Sequence, residues 1–195
     1  MVDFSPEEQA ALELLRKNAD AVPPDSARNF PEAVESLMRL WEDHHRSGRA
    51  WSPDFVEEAA RLLRKEGNRH GFTAYFGACR RYSLRRRGDG FVSACYLRSK
   101  IQILTDEFVP FADFMHPADS GALEKVDKLY IKDANDIAPI PPEEIPWWVP
   151  ESHWWWRAPT RLDMSQQEID EKIHDYSLSD FYDEDEEMPG ETSQN

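Results

Sequence analysis

The sequence predicts an all-α protein: a five- or six-helix bundle followed by an extended Pro/Trp-rich strap, a short helix and a disordered acidic tail. Three observations predict it. Apolar residues recur at helical spacing from about residue 5 to 135, punctuated by caps, prolines and glycines. Six of the 14 prolines then fall within residues 139–159, which rules out a long helix or a central strand there. Last, residues 163–195 hold 12 acidic side chains against one basic one, too charged to bury. The boundaries are a helical domain over 1–136, the strap over 137–162, the short helix over 163–176 and the tail over 177–195.

The first helix opens with Ser5-Pro6-Glu7-Glu8, a capping box with proline at the first helical position. Leu12, Leu15, Ala19 and Val22 follow on one face, and Pro23-Pro24 ends it. A second helix is expected from about Asn29–Pro31 to Arg46, with Val34, Leu37, Met38 and Trp41 inward. A third starts at Ser52-Pro53, with Trp51 and Val56 as a hydrophobic staple and Gly67 as its stop. Residues 71–87 read as a fourth, burying Phe72, Tyr75, Phe76, Cys79 and Ser83.

Residues 91–109 are apolar on nearly every side at helical pitch, which predicts a central buried helix. The alternation Lys100-Ile101-Gln102-Ile103 offers a strand as its rival. The last body helix covers about 120–134, facing inward with Leu123, Val126, Leu129 and Tyr130. Beyond the strap, Met164-Ser165-Gln166-Gln167-Glu168-Ile169 forms a second capping box and staple, and Ile169, Ile173 and Tyr176 share one face of the short helix.

Composition excludes several function classes. A chain of 195 residues at 40% hydrophobic content builds a real core. It has no apolar run of membrane-spanning length and no signal-like N-terminus, so the expectation is a cytoplasmic protein with no membrane contact. Cys79 and Cys95 are the only cysteines and read as buried thiols. The six histidines stand in no nucleophile, metal-helix or phosphate-loop motif, and the eight glycines form no phosphate cradle. No catalytic residue, metal or cofactor is therefore assigned. Glu42-Asp43-His44-His45 looks metal-like in composition, but neighbours on a helix point about 100° apart, so it reads as a surface helix end. Arg87-Gly88-Asp89 reads as a plain turn rather than an adhesion motif. Arg80-Arg81-Tyr82-Ser83 matches a basophilic kinase site whose serine is expected to be buried.

Charge is segregated along the chain. The formal net charge of −15 combines an acidic end with a basic middle: residues 61–105 hold 11 Lys/Arg against Glu66 and Asp89. Arg80, Arg81, Arg85, Arg86, Arg87, Arg98 and Lys100 come from two helical segments joined by a tight turn. They are the candidates for binding nucleic acid or an acidic partner, with Tyr75, Tyr82 and Tyr96 near enough in sequence to stack on bases.

The strap holds five of the seven tryptophans. Each buried ring is worth on the order of 2–3 kcal/mol, and extended chain has no interior, so the rings must lie against something. Trp147, Trp148, Trp154, Trp155, Trp156 and Arg157 are accordingly anchors either onto the protein's own body or into a partner's groove. The leading expectation is a non-catalytic intracellular interaction protein whose basic helical surface binds nucleic acid or an acidic partner, modulated by its acidic tail. A second is an acidic inhibitor or nucleic-acid mimic acting through its C-terminal carboxylates. A third is an enzyme whose site only the fold assembles.

Overall fold

The computed structural model describes residues 4–84, 89–134, 137–159, 165 and 167. These form an all-α body with no strand among the described residues. Its helices are α1 (Pro6–Ala19), α2 (Asp25–Ser47), α3 (Pro53–Leu63), α4 (Glu66–Leu84), α5 (Asp89–Glu107), the single turn α6 (Phe111–Phe114) and α7 (Ala122–Ala134). The strand rival over residues 101–104 is thus excluded; those residues are helical, in α5.

The first helix starts as its sequence dictates. Ser5 Oγ accepts from the Glu8 amide at 3.1 Å, and the Glu8 carboxylate accepts from the Ser5 amide at 2.8 Å. Two amides that a helix start leaves without partners are satisfied at once. Ser52, by contrast, makes no side-chain cap to α3. Pro53 occupies the first turn there, and Trp51 stacks on Phe55 of the same helix, ring centroids 5.4 Å apart. α2 begins at Asp25, earlier than the prolines suggest, and carries Pro31 inside it. A mid-helix proline forfeits one backbone bond. Burial of Phe30 in that first stretch offsets the loss.

The centre of the body is α4, which packs against every other α-helix. Glycine makes this possible. A Cβ at Gly67 would collide with the backbone carbonyls of Asn18, Ala19 and Ala21, and one at Gly71 with the Phe30 side chain and the Ser26 carbonyl. The ends of α1 and α2 therefore approach the α4 backbone directly. Gly67 is not the stop that the sequence implied: α3 ends at Leu63, and Gly67 is already helical, in α4. Beside it Asn18 donates to Asn68 Oδ1 at 3.0 Å, while Asn68 donates to the Leu15 and Leu62 carbonyls, both at 2.9 Å. Two buried amides thus tie α1, α3 and α4 together through donors that would be costly to leave unmet.

α5 is buried as its all-round apolar character predicted, with only Tyr96 and Asp106 exposed over residues 91–107, but the helix that packs against all the others is α4. α4 lies on one side of it, and the strap covers another. The strap belongs to the same core: Ile140, Trp148, Val149, Trp155 and Trp156 are buried with the helices. It is not wholly extended, since 3₁₀ turns occupy Pro142–Glu144 and Trp154–Arg157. At the C-terminal end of α5, Glu107 accepts the indole N–H of Trp41 at 3.2 Å and of Trp51 at 2.9 Å, clamping the end of α2 and the start of α3. α6 adds Phe114, which stacks on Phe72 with ring centroids 4.0 Å apart. Of the predicted 163–176 helix the described residues are Ser165, outside a helix, and Gln167, helical; the rest of it and the acidic tail lie outside the described residues.

The glycines of α4 separate close approach from mere composition. Gly71→Ala is expected to destabilise the fold by about 1–3 kcal/mol, the usual range for overpacking. Nothing lies within 4 Å of a Cβ at Gly77, so Gly77→Ala is expected to stabilise by about 0.5–1 kcal/mol through helix propensity. Urea unfolding of the two variants measures both signs.

Candidate functional site

The strap is fastened to α5 at one atom. Ser99 Oγ receives the indole N–H of Trp156 at 2.8 Å and of Trp155 at 3.1 Å, and lies 3.0 Å from His153 Nδ1. A hydroxyl has one proton and two lone pairs. Two indole donors fill both lone pairs, so the Ser99 proton goes to His153 Nδ1, and the imidazole is neutral with its proton on Nε2. Ser99 and His153 are fully buried. Burial first, then the Arg98 and Arg157 cations, push the His153 pKa down to about 4.

Arg98, the residue before Ser99, completes the fastening. Its Nε and Nη2 donate to the two Asp127 oxygens at 2.8 and 3.1 Å, and Nη1 donates to Gln102 at 2.8 Å. Its guanidinium lies 4.3 Å from the Trp155 ring centroid. One side chain thus joins α5, α7 and the strap. Cys95 Sγ, 3.8 Å from the Trp155 carbonyl, lies between the same elements. Both cysteines are free and buried, and desolvation pushes the Cys79 thiol up to about 12.

A buried Ser–His pair invites comparison with a nucleophile and its base. The geometry opposes it. A nucleophile needs a free lone pair and an approach for substrate, whereas Ser99 Oγ has both lone pairs occupied and no exposure. The pair holds the strap. Among the described residues, no group of three or more His, Cys, Asp or Glu side chains could hold a metal ion. No helix among them is long and apolar enough to cross a membrane.

The strap candidates therefore divide. Trp148, Trp155 and Trp156 are core residues, and Trp154 is half-buried. Trp147 is 54% exposed and Arg157 is exposed. Around Trp147 the structure gathers residues that had no evident relation in sequence. Arg46 places its guanidinium 4.5 Å from the Trp147 ring centroid. His45 stacks on Trp41 at 4.8 Å and sits 6.5 Å from Trp147. Trp41 meets Trp148, and Trp148 meets Tyr96, so an aromatic chain runs across α2, the strap and α5. Trp147 also borders an open groove with Pro142, Ile145, Trp156, Arg157 and Pro159. The i, i+4 pair Trp41 and His45 was the legible signal for this face, since residues so spaced on a helix are neighbours.

The basic candidates do not assemble as expected. Arg98 is only 3% exposed and fully paired, so it belongs to the core rather than to a binding surface. Lys100 is largely covered and pairs with Glu35. Tyr75 is buried and not available for stacking. Arg80 and Arg81 are exposed on the last turns of α4. Arg85, Arg86 and Arg87, with the Arg87-Gly88 turn, lie outside the described residues. Ser83 is buried, its hydroxyl donating to the Arg80 carbonyl at 2.8 Å, so the kinase-site serine faces inward.

Two outcomes test the fastening. Ser99→Ala strips partners from two buried indoles and an imidazole, and unmet buried groups cost about 1–3 kcal/mol each. A loss of roughly 3 kcal/mol or more is expected by urea unfolding, against a near-neutral Ser93→Ala on the same helix. The His153 shift sets a pH dependence. The unfolded imidazole takes a proton near pH 6.5 and the folded one only near 4. This contribution is complete above pH 6.5 and is lost progressively as pH falls from 6.5 towards 4. His153→Asn, which keeps an acceptor for Ser99 without titrating, is expected to flatten the slope of stability against pH in that window. Compared with known proteins, the chain matches no family model, no curated protein and no solved structure.

Proposed function

We propose that this chain is a non-catalytic interaction protein that meets an acidic protein partner through the outer face of its strap. One observation carries the proposal. Trp147 is the one tryptophan of the seven left exposed, with Arg46 over one face and Arg157 across the adjoining groove. Tryptophan, tyrosine and arginine dominate the energetics of protein interfaces, and an indole left in water beside two guanidinium groups is a ready anchor for an apolar side chain flanked by carboxylates. The buried fastening beneath it supports the same reading, because a rigid platform lowers the ordering cost of binding. The acidic residues 177–195 would modulate the contact by competing for the same cations.

A second reading, nucleic acid at the end of α4, keeps one specific support: Arg80 and Arg81 are exposed immediately before the Arg85–Arg87 run. It is weakened by the burial of Arg98 and the pairing of Lys100. Under this reading, removal of residues 177–195 uncovers sequence-independent binding that falls steeply with salt, as counterion release requires.

The discriminating experiment uses the full chain as bait in its native cell extract, with nuclease treatment and quantitative mass spectrometry. Trp147→Ala and Arg157→Glu are expected to lose a captured protein at least tenfold, while Val22→Ala, an exposed apolar residue elsewhere, keeps it. A capture profile that Trp147→Ala leaves unchanged overturns the strap-face proposal, and loss of all capture on nuclease treatment favours nucleic acid.

A further inference from the structure

We infer that the strap is an acid-released arm: a proton taken up by His153 frees it from α5 while the helical body stays folded. The count of hydrogen-bonding positions at Ser99 carries the inference. Trp155 and Trp156 fill both lone pairs of Oγ, and its proton goes to His153 Nδ1, 3.0 Å away. A charged imidazole carries a proton on each nitrogen and accepts nothing. Two donors would then face one another across the same gap. Turning the hydroxyl to the backbone carbonyl one helical turn back gives no escape, since three donors would still compete for two lone pairs. The docked strap therefore admits only the neutral ring.

The surroundings act in the same direction. α5 and α7 pack against the Trp154–Arg157 turn. α5 contributes Arg98 and Cys95, the strap itself contributes Arg157, and α7 carries the buried Tyr130 and the half-buried Asp127. Asp127 is committed elsewhere, both its oxygens accepting from Arg98. Trp155 stacks on the imidazole at 4.6 Å and already holds the Arg98 guanidinium 4.3 Å from its ring centroid. A second cation on that indole would meet the first. An imidazole that takes its proton near pH 6.5 when freed and near 4 when docked weights the undocked strap about 100-fold more at pH 4 than at pH 7. Docking is fully supported above pH 6.5 and weakens as pH falls towards 4.

The two thiols report on this release separately. Cys95 Sγ lies 3.8 Å from the Trp155 carbonyl and is fully buried, so an undocked strap uncovers it. Cys79, equally buried, lies 3.9 Å from the Ala94 carbonyl, between α4 and α5, and keeps its cover. Release also has a consequence for the partner contact, and this step alone rests on the function proposed above. Trp147 and Arg157 belong to the strap and Arg46 to α2, so undocking parts the residues of that surface, and acid switches it off.

Thiol labelling of the full chain, without any partner, tests the release. A pyridyl disulfide reacts with thiols in acid as well as at neutral pH, and mass mapping separates the two cysteines. Rates are taken relative to a free thiol at the same pH, so a sparsely populated opening is still read. Cys95 labelling is expected to rise about 100-fold from pH 7 to pH 4, while Cys79 labelling and the far-ultraviolet circular dichroism hold. In His153→Asn, which isolates the imidazole from Asp127, the rise is expected to vanish. A flat Cys95 rate in the unsubstituted chain overturns the inference. So does a rise of both cysteines together with loss of helix, which is global unfolding, or an undiminished rise in His153→Asn. If that variant labels fast at every pH, nitrogen resonances of the unsubstituted chain decide. A His153 ring protonated on Nε2 at pH 7, and gaining its second proton over the pH range in which Cys95 labelling rises, supports the release; protonation outside that range overturns it. Because no partner is present, failed release and failed partner assignment are separate results.

Discussion

A single serine hydroxyl with every hydrogen-bonding position filled fastens the strap to α5. Ser99 accepts two indole donors and gives its own proton to an imidazole, all in a dry core. The constraint is one of counting. Oγ has two lone pairs and one proton, so no fourth partner fits, and no partner can leave without stranding a buried polar atom. Tryptophan brings a large apolar ring with one donor that must be met when buried. Two such donors converging on one acceptor let two adjacent rings enter the core together.

α5 supplies the polar endpoint for four of the seven indoles. Ser99 takes Trp155 and Trp156, and two turns further on Glu107 takes Trp41 and Trp51. Between α4 and the strap, Arg98 spans from Asp127 on α7 to the face of Trp155. A guanidinium this deep survives because a bidentate carboxylate, an amide oxygen and an aromatic face leave little of it unsatisfied. The charge that composition offered as a contact for phosphate is spent inside the molecule. Among the described residues, Trp147 with Arg46 and Arg157, and Arg80 and Arg81 at the end of α4, stay on the surface.

The proposed function rests on the contrast between the two sides of the strap. Its inner side is saturated, with rings packed, donors met and a serine closed to chemistry. Its outer side is left incomplete, with an exposed indole, a guanidinium stacked upon it and an apolar groove alongside. An unsatisfied surface on a rigid support is the physical condition for recognition.

The all-α class, the capping box at Ser5, most of the inward helix faces and the presence of a strap were legible in sequence, because each is a local pattern; Val22, expected on the face of the first helix, instead lies past its end at Ala19 and is 69% exposed. Helical period, caps and proline exclusion act over a few residues and need no knowledge of distant chain. Only the tertiary structure decided that α4 rather than α5 is central. That outcome depends on Gly67 and Gly71 meeting the ends of α1 and α2, and a glycine that stops a helix looks the same in sequence as one that admits a neighbour. It also decided that Arg98 is buried: an arginine's fate turns on whether an aspartate 29 residues away and a tryptophan from the strap come to meet it. Ser99 and His153 carried no signal at all, since a serine in an apolar helix and a histidine in a loop acquire their roles only when the fold brings them within hydrogen-bonding distance.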